Sequence, residues 1–548
     1  MRLTRLLSAC LLSTGMCVAP VAALPPPCNG GFVFEDRDGD GRWSGDEPLL
    51  PGIAVSDGMR IVRTNQRGEY FLPVVSGRTT FVIKPAGWQL GKREDGLPDF
   101  WRHVQREPGP ELKYGGIADQ FPGCRNFALA RDGREPGQLR TLLFGDPQPR
   151  TGTEVDYYER GIVEEVMAAH ASHSAAATVP PAYFPRNAAD LGITLGDVVH
   201  DDLSLYPRMN RATARLGLPW LHVAGNHDLD FDAARDEDSL LSFRNTYGPD
   251  TFAWEEHEAS FVLLDNVVYR PGATPDYIGG LREDQFAFLA AYLPTLPRER
   301  RLVVAAHIPF FDPTPGRETF RAADRERLFA LLAEFPNVLL LTAHGHVQRH
   351  HLHDAATGWR GAAPLHEYNL GAACGAYWSG VPDASGIPVG TMADGTPRGW
   401  AELSVLADAR YLLRWRAASG DAGSDIGLHA PKVLRRGAYP AFGVFANVYM
   451  ALPDAVVEFR VGDGEWKTMQ RVARADPRLV AENVRDDLAE GLRGFDRSPE
   501  AAPSSHLWRG TLPTDLEAGE HRVEVRTQDP WRGTLSASAT YRLVEAAQ

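Results

Sequence analysis

The chain has 548 residues and, at roughly 150 residues per domain, is long enough for three or four domains. Apolar residues make up 43%, charged residues 23% and aromatics 9%, a mix that can bury cores and excludes a largely disordered chain. Its 57 basic and 71 acidic residues leave a formal charge of −14, which opposes non-specific attraction to nucleic acid phosphate or anionic lipid.

Residues 1–23 carry Arg2 and Arg5, an apolar run from Leu6, and the small residues Ala22 and Ala23, the pattern of a signal peptide. Its removal takes away two arginines, so the mature charge is 55 − 71 = −16. No later apolar run reaches the roughly 18 residues of a membrane span, so a periplasmic or secreted protein is expected. Cys10 and Cys17 leave with the signal. In an oxidising compartment Cys28 and Cys124 either close a loop of about 97 residues, worth on the order of 4 to 5 kcal/mol, or remain thiols. Cys374 is then the odd cysteine.

Residues 24–137 hold short β-type runs at 31–34, 53–55, 70–75 and 79–83 between Gly, Asp and Pro turns, predicting a β-sandwich. Within it, the run from Asp36 to Glu47 fits D-x-D-x-D-G-x5-E. Asp36, Asp38 and Asp40 offer carboxylates, Arg42 a carbonyl, Ser44 a water-mediated contact and Glu47 a bidentate closer, a set suited to one structural calcium. An Asp-rich solvated turn is the alternative. Residues 138–416 alternate apolar strands with helical stretches at 154–171, 281–293 and 323–335, an α/β pattern. Residues 417–548 return to strands and turns, with one short helix near 486–492, and predict a second β-sandwich.

Five polar clusters interrupt the α/β region, each just after an apolar strand: Asp146-Pro147-Gln148, Gly196-Asp197, Gly225-Asn226-His227-Asp228, His307, and Ala343-His344-Gly345-His346. Ligands of open α/β sheets bind at the carboxyl ends of strands, so all five can face one site. The mixed oxygen and nitrogen donors suit borderline divalent metals, and a carboxylate can bridge two ions that clamp a phosphoryl group. Such a centre would bring the positive charge that an acidic chain needs to act on phosphate esters.

In order and in residue type, these clusters resemble the motifs of the calcineurin-like metallophosphoesterase superfamily, and the flanking modules resemble those of an exported bacterial branch. The resemblance implies an αββα sandwich flanked by two β-sandwich domains. It also implies two divalent transition-metal ions (Mn, Zn or Fe), and hydrolysis of phosphate mono- or diesters by attack of a metal-bridging hydroxide. Carried over residue by residue, Asp146 and His346 hold the first ion, Asp197 bridges, and Asn226, His307 and His344 hold the second. Gln148 stands where many members have histidine. His227 is similar to the family's phosphate contact and general acid, with Asp228 orienting it.

Cys374, Tyr377 and Trp378, in a loop similar to a further segment of that branch, are candidates for the substrate pocket. The expected partner is a small-molecule or envelope phosphate ester rather than nucleic acid. A catalytically weakened envelope or carbohydrate-associated binding protein is the alternative.

Overall fold

The computed structural model describes residues 28–105, 108–118, 124–170, 183–184, 189–314, 316–420, 424–440 and 442–545; the expected signal peptide lies outside them. The first module pairs two four-stranded sheets. One is ordered Glu69–Phe71, Gly30–Glu35, Phe127–Arg131, Trp88–Leu90, and the other Ile61–Arg63, Ala54–Ser56, Arg78–Val82, Trp101–Val104. Cys28 and Cys124 form a disulfide across its ends.

In the Asp36 loop, the Asp36 carboxylate accepts from Gly39 N and Gly41 N at 2.8 Å each and from the Tyr183 hydroxyl at 2.6 Å. Asp36, Asp38 and Asp40 gather within 4.8 Å of one another. Glu47 folds inward onto the loop, accepting from Arg37 N at 2.8 Å and Ser44 N at 3.2 Å. The Ser44 hydroxyl donates to Asp46 instead of facing the carboxylates.

The middle of the chain builds two sheets, strongly apolar where they are buried. The first runs Trp220–Val223, Leu191–Leu195, Gln138–Phe144, Gly399–Leu406, Tyr411–Ala417, with the first three strands mutually parallel. The second runs Phe252–Glu255, Ala259–Leu263, Arg301–Ala305, Val338–Thr342, Leu365–Asn369, Arg349–His353, parallel except at its two edges. Strands buried on both faces read as mainly apolar runs with little alternation, which is how Leu191–Leu195 (LGITL) and Val338–Thr342 (VLLLT) read, and no residue of either is exposed. At their carboxyl ends the sheets meet: Gly145 pairs with Ala372, and Ala373 N donates to the Gly145 carbonyl at 2.6 Å.

The three expected helices form. Thr151 caps the first by accepting from Glu154 N, and it continues from Gly152–Tyr158 through a π-turn at Glu159–Val163 to Glu164–His170; position 171 lies outside the described residues. The others span Glu283–Tyr292 and Ala322–Leu332. The helix expected near 486–492 instead occupies Pro477–Asp487. Asp476 accepts from Arg478 N and Pro477 fills the first helical position, so the start signal lies ten residues upstream of the expected one.

Packing divides the molecule unevenly. The first module shares one continuous core with the central sheets: Phe100 lies 5.2 Å from Phe252 and 5.9 Å from Trp254, and Lys84 makes a buried 2.5 Å ion pair with Glu256. The last module has a core of its own, built by Val444, Val448, Phe459, Trp508, Val523 and their neighbours. It meets the centre through Tyr449 and Met450, which join the shared core, through the Trp531 ring stacked on His366 at 6.0 Å, and through polar contacts. His506 faces Asp394 at 3.1 Å and Asn447 at 2.6 Å, and Asp394 also accepts from Gln348 N at 2.9 Å. Replacing Cys28 and Cys124 by serine should lower the stability of the first module by roughly 2 to 5 kcal/mol, measured as denaturant unfolding of the oxidised protein against the variant. An unchanged transition would show that the shared core alone holds the module.

Candidate metal centre

Each expected ligand follows a strand, and five of the seven turn inward on left-handed backbone. Asp146, Gln148, Asp197, His344 and His346 have φ of 42°, 44°, 50°, 67° and 46°. Such conformations are costly outside glycine and persist where the surroundings over-determine them, typically at functional sites. Close approach explains the glycines: a Cβ on Gly225 would lie 2.2 Å from Asp197 Oδ1.

The Asp197 carboxylate is the meeting point. Its Oδ1 accepts from His227 N at 2.8 Å. Its Oδ2 lies 3.3 Å from Gln148 Nε2 on one side and 3.3 Å from His307 Nε2 on the other. His307 donates through Nδ1 to the Leu195 carbonyl at 2.8 Å, which aims Nε2 at Asn226 Oδ1 (3.1 Å) and His344 Nδ1 (3.2 Å). On the other side, Asp146 Oδ1 lies 3.6 Å from His346 Nε2, and the Asp146 carboxylate accepts from His344 N at 3.2 Å. His346 Nδ1 donates to the Gly375 carbonyl at 2.8 Å, so its Nε2 turns inward. The structure thus brings all seven expected metal ligands together, in two groups that share Asp197.

This donor set fits divalent metals. Burial drives His344 down to about 3 and His346 to about 4, keeping both imidazoles neutral with lone pairs available. Burial pushes the Asp146 carboxyl up to about 8. Burial would lower His307, but Asp197 beside it raises it to about 9, so the pocket selects for positive charge at that point. Gln148 Oε1 is buried without a hydrogen-bond partner among the described residues, an amide oxygen free to ligate.

Two expectations are corrected. Asp228 does not orient His227: it is fully buried, and its carboxylate accepts from Gly225 N (2.8 Å), Val198 N (3.2 Å) and the Tyr206 hydroxyl (2.9 Å). His227 Nδ1 donates instead to Asp201 Oδ1 at 2.7 Å, and the imidazole stacks on His200 with centroids 4.2 Å apart. Burial lowers His227, but the Asp201 bond and the Asp197 charge outweigh it and raise it above its usual value. Trp378 does not face substrate either: its ring is buried and its indole N–H donates to the Pro147 carbonyl at 2.9 Å. Cys374 is buried beside His346, and burial pushes its thiol well above its ordinary range, so it shapes the pocket and is no nucleophile. Tyr377 alone of the three presents an exposed ring, 4.6 Å from that of His346. Tyr277, whose ring lies edge-on to His344 at 5.9 Å, carries no sequence signal.

The family model of calcineurin-like phosphoesterases matches residues 139–348, and the models of its N-terminal and C-terminal regions match 38–113 and 367–534. The chain belongs to the calcineurin-like phosphoesterase family. As a member it is a metal-dependent phosphoric ester hydrolase, built as an α/β catalytic core flanked by β modules. Among solved structures, a purple acid phosphatase from yellow lupin (Lupinus luteus) seeds aligns at 11% identity and a TM-score of 0.37, covering 67% of each chain. A dimetal phosphatase from Danio rerio aligns at 15% identity and a TM-score of 0.33, over 52% of this chain and 97% of that one. No curated protein sequence matches the chain.

The two aspartates of this phosphoesterase should separate experimentally. Asp201→Ala should cut turnover roughly 10- to 100-fold with little change in unfolding. Asp228→Ala, which strands three buried donors, should cost about 2 to 4 kcal/mol of stability. Indistinguishable effects in steady-state kinetics and denaturant unfolding would reverse the assignment.

Proposed function

We propose that this phosphoesterase is an exported enzyme that hydrolyses phosphate mono- or diesters at a dinuclear centre. The observation that carries the reading is the convergence on Asp197, with Gln148 and His307 each 3.3 Å from one carboxylate oxygen. Asp146, Gln148 and His346 would hold one ion, Asn226, His307 and His344 the other, and Asp197 both. Two divalent transition-metal ions bound there would screen phosphate charge and acidify the attacking water.

The protein's own contribution lies at His227. With Nδ1 committed to Asp201, a proton on Nε2 can be given to the leaving oxygen, and the Asp201 bond and Asp197 charge raise the basicity of the ring and so favour its protonated form. The backbone N–H of the same residue holds Asp197 in position. Export to the periplasm or beyond is supported by the signal-like first segment and by the Cys28–Cys124 disulfide, which persists in oxidising compartments. The gathered Asp36, Asp38 and Asp40 carboxylates support one structural calcium in the first module.

The purified protein should carry about two transition-metal ions by elemental analysis and hydrolyse nitrophenyl phosphate esters in a chelator-sensitive way. Asp197→Asn should remove most of the metal and the turnover together; full activity in that variant would end the bridging assignment. A calcium-selective chelator should lower the unfolding midpoint of the first module, and an unchanged midpoint would leave the loop as a solvated turn.

A further inference from the structure

A groove of about 420 Å³ opens beside the centre, and its walls come from two modules. The catalytic domain supplies Arg150, His200 and Tyr377, and the last module supplies Asp496, Arg497 and Pro499. Its position relative to the proton donor decides what it can hold. A general acid must reach the leaving oxygen within about 3 Å, so the body of the leaving group lies on the His227 side of the phosphate. His200, in the groove wall, is the residue stacked on His227 at 4.2 Å.

The floor is one aromatic face held out on purpose-built backbone. Tyr377 and Trp378 have φ of 53° and 54°, and Trp378 locks the turn from beneath through Pro147. The Tyr377 ring is left 44% exposed between His346 (4.6 Å) and His200 (6.2 Å). Arg150 is not free to meet an anion. Its guanidinium holds Glu154 at 2.6 Å, Asp496 at 2.9 Å and the Tyr377 carbonyl at 3.3 Å. It therefore works as a tie that fixes the distance between the Tyr377 turn and the Asp496 loop. What remains open between them is a slot with an aromatic floor and a proline in its far wall.

We propose that this slot is the leaving-group subsite, and that it selects esters whose alcohol carries a ring with an apolar face, aromatic or sugar, laid on Tyr377. The proposal rests on the phosphoesterase reading above. It makes Tyr377 a specificity residue, and makes Arg150 and Asp496 positioning residues that set the width of the slot.

The test compares benzyl and n-butyl phosphate esters, whose alcohols are of similar acidity, with a hexose 6-phosphate as the sugar arm, on the metal-loaded full chain. The wild type should prefer one of the ring esters over butyl by about fivefold in kcat/KM, the size of one aromatic face contact. The arm preferred tells an aromatic ring from a sugar. Tyr377→Ala should bring that ratio close to one, and Tyr377→Phe should keep it. Asp496→Ala, at an exposed side chain, should reduce it by releasing the far wall. A ratio near one in the wild type, or the same ratio in Tyr377→Ala, overturns the subsite; an unchanged ratio in Asp496→Ala overturns the part given to the last module. Hydrolysis of none of these esters would instead count against the phosphoesterase reading itself.

Discussion

Asp197 sits where the parallel strands of two sheets present their carboxyl ends to each other, and its two oxygens are shared among groups from three other strand ends. A buried carboxylate in that position is unfavourable unless positive charge surrounds it. The neighbouring loops are arranged to supply or accept that charge: one imidazole raised in basicity, two kept neutral, and an amide oxygen left without a partner. The left-handed backbone at Asp146, Gln148, Asp197, His344 and His346 is the local cost of aiming five side chains at one point. The two tightly packed sheets beneath allow that cost to be met without loosening the turns.

The backbone placement of this centre was legible before any coordinates. Each polar cluster follows a run such as residues 191–195 or 338–342, and strands buried on both faces announce themselves by predominantly apolar composition without alternation. Side-chain direction was not legible in the same way. Asp228 stands next to His227 in the chain, yet the turn points it into the domain, where two backbone N–H groups and Tyr206 hold it. Asp201 comes from a different loop and has φ of 61°, a conformation that no residue pattern encodes. Trp378 and Tyr377 diverge for the same reason, one pinned under the turn and the other left on top. The last helix lies upstream of the expected segment because Asp476 caps it and Pro477 fills its first position, a local start signal that composition alone does not rank.

Both flanking modules touch the loops that carry the chemistry. From the first module, the Tyr114 hydroxyl donates at 2.8 Å to the backbone carbonyl of Asp201, the residue that orients His227. From the last, His506, itself held by Asn447, faces Asp394 of the central domain, which accepts from the backbone N–H two residues beyond His346. The metal-bearing turns are thus braced from opposite sides, by an apolar seam in one case and by buried polar bonds beside a smaller apolar contact in the other. The segment Asp394-Gly395 also explains its own composition, since a Cβ on Gly395 would lie 2.4 Å from the Asp476 Cβ.

The separate core of the last module has a consequence for how the molecule fails. Most of the last module packs in a core separate from the one the other two share, with Ala418, Tyr449, Met450 and Trp531 joining the shared core, so it can open while most of that shared core stays intact. Under mild heat or denaturant, the far wall of the slot would depart first and the donors around Asp197 would remain. A partly opened protein of this kind would still hydrolyse esters but would have lost its ability to choose among them, so selectivity, more than turnover, reports the integrity of the whole chain.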